Sequence, residues 1–457
     1  MRRGLLGLLL VVLLICALGS SSAAAATEAS PVVTGLNYPS MCTVAGDGRI
    51  FYADTYTGRI GVFDPQSGVD ADYFQVPDLC ESPDQGLFGL ALHPKFASNN
   101  TLYAYATRQV GGDCHNQLLE VQPDGTGGLA MAVLMDDPYV SGHIGGRLLF
   151  GPDGELYLST GDGSSSLPTL AAAQAQRATA QDLSSVKGKI LRMTDSGGVP
   201  AGNPYGNLVF AYGFRNVFGF DFDPSTGHLW ATDNGTEGNA AYPEPPGPGP
   251  LTGCNDEVNL VTMGANYGWG PTGNCGTPPA PPINTNRDGP SPVLPALNVE
   301  VASGITAARF CSGCGLGPQY EGRLFWVDYD YNDGFGAIHA ATLSPDRSAI
   351  ASDEVVFQPS GPAPLSIERG PDCALYYSDP QGIYKLVDPS AQPGCVEPPP
   401  AITGPQELTT GVQGLGEIHR RVHARRRCKK RFPKGPKRTR CLAKARKRHV
   451  SELRPKV

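Results

Sequence analysis

DGELYLSTGD, residues Asp153 to Asp162, is a tight turn followed by a strand that ends on an acid. Asp153 and Gly154 carry the turn chemistry, and Leu156, Tyr157 and Leu158 begin an apolar run of strand composition. The same phrase recurs as DGRIFYAD from Asp47, NNTLYAYAT from Asn99, TGHLWATDNG from Thr226, EGRLFWVDYD from Glu321 and DCALYYSDP from Asp372. Most copies are followed by a second strand ending in a Gly-Arg/Lys-Ile-like phrase, as at Gly58-Arg59-Ile60 and Gly188-Lys189-Ile190. Six units over residues 31–390, rich in Gly and Pro and without a long amphipathic helix, predict an all-β, six-bladed β-propeller. A β-sandwich offers no reason for one turn-plus-strand phrase to repeat. Pro-rich insertions at Tyr242–Leu251 and Gly276–Ile283 lengthen the loops before the fifth unit. Ring closure is expected to pair Val32 and Val33 with the last blade.

The flanks read differently. Arg2 and Arg3, the apolar run Leu5–Leu18 and the alanines Ala23–Ala26 have the layout of a secretory signal peptide over residues 1–26. The run is shorter than the roughly 18 apolar residues a membrane span requires. Residues 391–416 have linker composition, and 417–457 form a basic tail that is expected to be disordered, with too few apolar residues for a core. From Gly416 onward 18 Lys/Arg face two Glu, whereas residues 27–415 hold 16 Lys/Arg and 41 Asp/Glu. An acidic body thus carries a cationic tail suited to an anionic cell-envelope polymer or membrane surface. An exported address argues against a specific nucleic-acid role.

Eleven of the twelve cysteines follow the leader, an odd number for an oxidising compartment. Neighbouring pairs are Cys80 with Cys114, Cys254 with Cys275, Cys311 with Cys314, Cys373 with Cys395, and Cys428 with Cys441, leaving Cys42 unpaired in a strand. None of these spacings is that of a zinc site.

Chemistry concentrates around GHIGGRLLFGPDGELYLSTGDGSSS, Gly142 to Ser166. A hairpin that folds Leu148–Phe150 onto Leu156–Leu158 brings Asp162 toward His143, a general base with its orienting acid. Downstream lie AYGFRN, Ala211 to Asn216, and NDEVNLVTMGANYGW, Asn255 to Trp269. In order and spacing these motifs resemble the glucose/sorbosone dehydrogenase family, which includes soluble quinoprotein aldose sugar dehydrogenases and hedgehog-interacting-protein-like propellers. The resemblance runs from about Gly35 to Val387. It implies that His143 takes the proton of a sugar's anomeric hydroxyl as hydride passes to pyrroloquinoline quinone. Asp162 then holds the imidazole, and Arg215 with Asn216 faces the quinone. It also implies calcium, served by the carbonyls of Gly235 and Thr236 at the quinone and by Glu257 and the Tyr267 carbonyl at a second position.

Two stretches depart from that pattern. Before the GLLG-like phrase, where quinone enzymes of the family place a Gln, stands Asp84, with Gln85 one step later. The quinone's three carboxylates call for cationic partners, which the family draws from the last two blades. Here WVDYDYNDGFGAIHA, Trp326 to Ala340, and GPAPLSI, Gly361 to Ile367, contain no Lys or Arg. Arg147, Lys187 or Arg369 would have to substitute. A quinone-dependent sugar dehydrogenase and a non-catalytic, calcium-containing extracellular propeller that binds carbohydrate or protein both remain open, with a metal-dependent lactonase-type propeller behind them.

Overall fold

The structure, a computed structural model, describes residues 27–80, 85–165, 167–235, 255–272, 275–276, 285–286, 288–299, 303–329 and 336–391. The leader, Asp84, Thr236, Cys254, Cys395 and the chain from residue 392 onward, including the basic tail, lie outside these.

Six four-stranded antiparallel sheets follow one another along the chain. The first blade runs through Pro39–Val44, Ile50–Asp54, Arg59–Asp64 and Val69–Gln75, and the third through Leu148–Phe150, Leu156–Thr160, Lys189–Met193 and Val209–Tyr212. Every copy of the repeated phrase is the second strand of its blade: Ile50–Asp54, Leu102–Val110, Leu156–Thr160, Leu229–Asp233, Leu324–Asp328 and Leu375–Asp379. These strands read as near-continuous apolar runs because both faces are covered by neighbouring blades; Leu156–Thr160 and Leu229–Asp233 are buried at all positions.

First strands of adjacent blades pack around the axis. The ring closes through Glu28–Thr34, which becomes the outer strand of the last blade by pairing with Gly382–Val387, Val33 opposite Ile383. A closed ring leaves no sheet edge along its seam. The polypeptide leaves this plan in two places near the third blade. Residues 161–188 include a helix, Leu170–Arg177, whose Thr169 hydroxyl accepts from the Ala172 amide as an N-cap. In the fourth blade the strands Asp256–Val261 and Leu297–Val299 are neighbours in the sheet although residues 262–296 separate them in sequence.

Disulfides join Cys80 to Cys114 and Cys311 to Cys314, and Cys373 is also disulfide-bonded. Cys42 is a free, buried thiol that burial pushes up to about 12, so it behaves as a small apolar side chain. Among the described residues no helix is long and apolar enough to cross a membrane.

Candidate functional site

Antiparallel pairing of Leu148–Phe150 with Leu156–Thr160 puts the segment before the first strand beside the segment after the second. Gly163 donates its N–H to the His143 carbonyl at 3.2 Å, and Gly146 donates to the Ser159 carbonyl at 2.9 Å. The approach is close enough to demand glycine. A Cβ on Gly161 would sit 2.0 Å from the His143 carbonyl oxygen, and Gly145, at φ +68°, would collide with the Ser159 backbone. His143 itself has φ +63°, a conformation in which a side chain other than Gly or Asn is strained. Backbone strain of this kind persists only where the surroundings enforce it, and it clusters at working sites.

The hairpin brings His143 Nδ1 within 2.8 Å of Asp162 Oδ1. Asp162 is fully buried. Its other oxygen accepts from Ser164 Oγ and from Trp269 Nε1, both at 2.6 Å, and Oδ1 also accepts the Ser164 N–H at 3.0 Å. Burial alone would raise this carboxyl. The charge and hydrogen bond of His143, the Arg215 charge and the Ser164 hydroxyl outweigh it and hold the group down to about 2. Asp162 is therefore an anion throughout the neutral range, and its partner nitrogen is kept as the N–H side of the imidazole.

Arg215 and Asn216 enter from the loop leading into the fourth blade. The Arg215 carbonyl accepts the Asp162 N–H at 2.8 Å, so the three residues expected at one site are joined through Asp162. Asn216 accepts the Gly145 N–H at 3.0 Å, which fastens the His143 loop, and donates to Asn234 Oδ1 in the fourth blade at 3.3 Å. Two buried carboxylates beneath this loop were not singled out in the sequence. Asp233 accepts the N–H groups of Arg215 and Asn216, and burial pushes it up to about 7. Asp256 accepts the N–H groups of Gly235, Ser303 and Gly304, and burial pushes it up to about 6. The signal for Asp233 was available: it is the acid that ends the repeated phrase, as Asp54, Asp328 and Asp379 do in other blades.

Trp269 was visible only as the end of a motif. Its segment climbs beside the outer strand of the third blade: Gly264 donates to the Phe210 carbonyl, Tyr267 to Tyr212 and Trp269 to Gly213. That ladder delivers the indole to Asp162. Arg177 and Arg215 lie over its ring at 5.3 and 5.7 Å from the centroid.

The other expected residues fall as follows. Gln85 is buried ahead of Leu87–Leu92, next to Gly86. Glu257 and Gly235 are buried at the top of the fourth blade, and Glu257 accepts from Asn259 Nδ2 at 3.3 Å. Tyr267 stacks on Phe214 and donates its hydroxyl to the Leu260 carbonyl, leaving its own carbonyl as the group of interest for an ion. Among the described residues no three His, Cys, Asp or Glu side chains converge as a metal cluster, so any calcium here would lean on carbonyl oxygens. The three substitute cations are each committed elsewhere. Arg147 reaches across the axis to Glu368 and the Phe220 carbonyl, Lys187 binds Asp137 and the Pro138 carbonyl, and Arg369 donates to Cys373 Sγ. Glu368 also receives Arg309, which pairs with Asp221, so a buried ionic chain crosses the channel. Buried polar atoms demand partners; Lys187 has two within the fold, while Arg147 Nη2 and Arg369 Nε are buried without a hydrogen bond.

The family profile described as Glucose / Sorbosone dehydrogenase matches residues 36–380, from the first blade into the last. The chain belongs to this family. Over 261 residues this family member is 30% identical to quinoprotein glucose dehydrogenase B of Acinetobacter calcoaceticus, covering 52% of this chain and 51% of that protein. An aldose sugar dehydrogenase of Escherichia coli strain K12 is 28% identical over 46% of this chain and 53% of its own length. The chain thus spans about half the length of these curated relatives. Among solved structures, a glucose dehydrogenase-type oxidoreductase from Thermus thermophilus superposes with TM-score 0.62 at 27% identity, covering 79% of this chain and 100% of that one. The PQQ-bound aldose sugar dehydrogenase of Streptomyces coelicolor, at 22% identity and TM-score 0.60 over 79% and 97% of the two chains, shares the fold.

Proposed function

We propose that this propeller is an exported sugar dehydrogenase in which His143 is the base that removes a proton from a sugar hydroxyl as hydride leaves the same carbon. The carrying observation is the 2.8 Å contact between His143 Nδ1 and an Asp162 that stays ionised down to about 2. With Nδ1–H engaged, the opposite nitrogen is the proton acceptor, and the anion behind the ring favours the imidazolium that forms. Arg215 supplies fixed positive charge beside the reacting centre, where negative charge develops. Sugar dehydrogenases among the relatives support the substrate class, and disulfides support an oxidising destination.

Donors at the reacting end fit pyrroloquinoline quinone, which when bound supplies a two-electron hydride acceptor; Arg215 and Asn216 would hold it, with calcium on the Gly235 side. The fit stops at the quinone's carboxylates, because Arg147, Lys187 and Arg369 already neutralise or contact groups of the fold. That mismatch favours one second reading, a calcium-containing propeller that binds carbohydrate or protein without oxidising it. A relative from Arabidopsis thaliana, the HIPL2 protein, aligns over 76% of this chain at 27% identity.

Purified protein loaded with pyrroloquinoline quinone and calcium should reduce an artificial dye in the presence of aldoses, and His143→Ala should lower that rate by about 10²–10⁴-fold. A loaded wild type that binds sugar but reduces no dye would overturn the dehydrogenase reading in favour of the second.

A further inference from the structure

Trp269 is the one residue of the NYGW phrase that touches the candidate base pair, and its contact is a specific one. The indole is 1% exposed and places its single N–H 2.6 Å from Asp162 Oδ2, the oxygen that His143 does not use. Ser164 Oγ meets the same oxygen at 2.6 Å. A carboxylate with one engaged oxygen can swing about its Cβ–Cγ bond; one held at both cannot. The residue lies 107 positions from Asp162 in sequence and is brought there along a ladder of backbone hydrogen bonds to the outer strand of the third blade. Arg177 and Arg215 both lie over the ring, so the indole also packs against two guanidinium groups.

We infer that Trp269 is a positioning residue for proton abstraction: with Ser164 it pins the Asp162 carboxylate so that Oδ1 faces His143, and it tempers how strongly that carboxylate attracts the imidazole proton. This rests on the reading of His143 as the base. Hydrogen bonds donated to a carboxylate stabilise its charge and weaken its pull on any other proton. With two donors on Oδ2 and the Ser164 amide on Oδ1, Asp162 orients His143 without locking it as an imidazolium. Charged groups acting on Asp162 include His143, Arg215 and the buried Asp233, with Arg177 and Arg215 over the Trp269 ring, and Trp269→Phe deletes none of them.

Trp269→Phe removes the donor while keeping an aromatic ring between the two arginines. Ser164→Ala removes the second donor to the same oxygen and leaves all indole packing in place. Both should move the His143 titration, followed by imidazole NMR in protein without quinone, to higher pH by about one unit, the worth of one charged hydrogen bond. The loaded enzyme should show the acid limb of its rate profile moved the same way, with kcat reduced about tenfold and KM for sugar little changed. A purely structural Trp269 predicts lower stability with the His143 titration unmoved, and Ser164→Ala without effect; that pair of results overturns the inference. Since the NMR titration needs neither quinone nor turnover, a wild type inactive toward every sugar would remove the dehydrogenase reading alone.

Discussion

Among the described residues His143 and His339 each belong to a His–Asp–Trp set, and the two are carried by different kinds of backbone. In the third blade His143 Nδ1 meets Asp162 at 2.8 Å and Trp269 Nε1 meets the same carboxylate at 2.6 Å. In the fifth, His339 Nδ1 meets Asp353 at 2.8 Å and Trp326 Nε1 meets it at 2.8 Å. Exposure does not separate them: the histidine side chains are 11% and 9% exposed. Position does. His339 lies within the strand Ala337–Leu343 with Trp326 stacked on its face at 3.9 Å, and its Nε2 is buried without a hydrogen bond, 3.9 Å from an Asp328 oxygen. His143 stands on a strained glycine-rich loop ahead of an innermost strand, tied to the Arg215 loop. A His–Asp contact therefore identifies a hydrogen bond; the backbone that carries it identifies a site.

The largest effect that can break this contrast is on turnover. His143→Ala should cut sugar-dependent dye reduction by about 10²–10⁴-fold, with some loss of stability because Asp162 loses the partner that helps to hold it ionised. His339→Ala should cost stability and leave turnover unchanged. It strips Asp353 of its buried partner and Trp326 of its stacked ring, for a cost of about 3 kcal/mol in chemical denaturation. If the His339 variant folds with native stability, or the His143 variant turns over normally, the two sets have been assigned the wrong way round.

Much of this was legible before any coordinates. The turn-plus-strand phrase marks the second strand of all six blades because its turn, with Gly, Asn100 or Cys373 at positive φ, and its apolar run are local properties. His143 with Asp162 was legible for the same reason, since one hairpin closes the pair. What escaped depended on distant chain meeting distant chain. Nothing near Trp269 reveals that its segment climbs the third blade, and the Arg147–Glu368 contact joins residues 221 apart across the axis. The substitute cations were plausible from charge alone, and the contacts that engage Arg147, Lys187 and Arg369 within the fold come from residues distant in sequence or from burial that the sequence does not show.

Acid sharpens the comparison at the next level of magnitude. Asp162 has a folded value of about 2, below the 3.8 of an unperturbed Asp. A lowered carboxyl contributes stability that is present above its unfolded value and lost as pH falls toward its folded one. About 2 kcal/mol should therefore disappear between pH 4 and pH 2, measured by urea denaturation at a series of pH values. Asp162→Asn should flatten that limb, and a variant that keeps the full acid loss would assign it to other carboxylates.

The smallest expected effect tests the Trp donors against each other. Trp326→Phe removes the N–H that reaches Asp353 at 2.8 Å but keeps a ring able to stack on His339. Asp353 retains its histidine, so the loss is a single hydrogen bond to a charged acceptor, about 1–2 kcal/mol. The urea midpoint should fall with an unchanged m-value, since the folded and unfolded surfaces stay the same. Sugar oxidation should be untouched, because no residue of this set faces the His143 loop. Trp269→Phe loses the same chemical bond, yet there the consequence should appear in the His143 titration as well as in stability. Equal behaviour of the two variants, in either measurement alone, would mean that the indole at Asp162 does nothing that the indole at Asp353 does not.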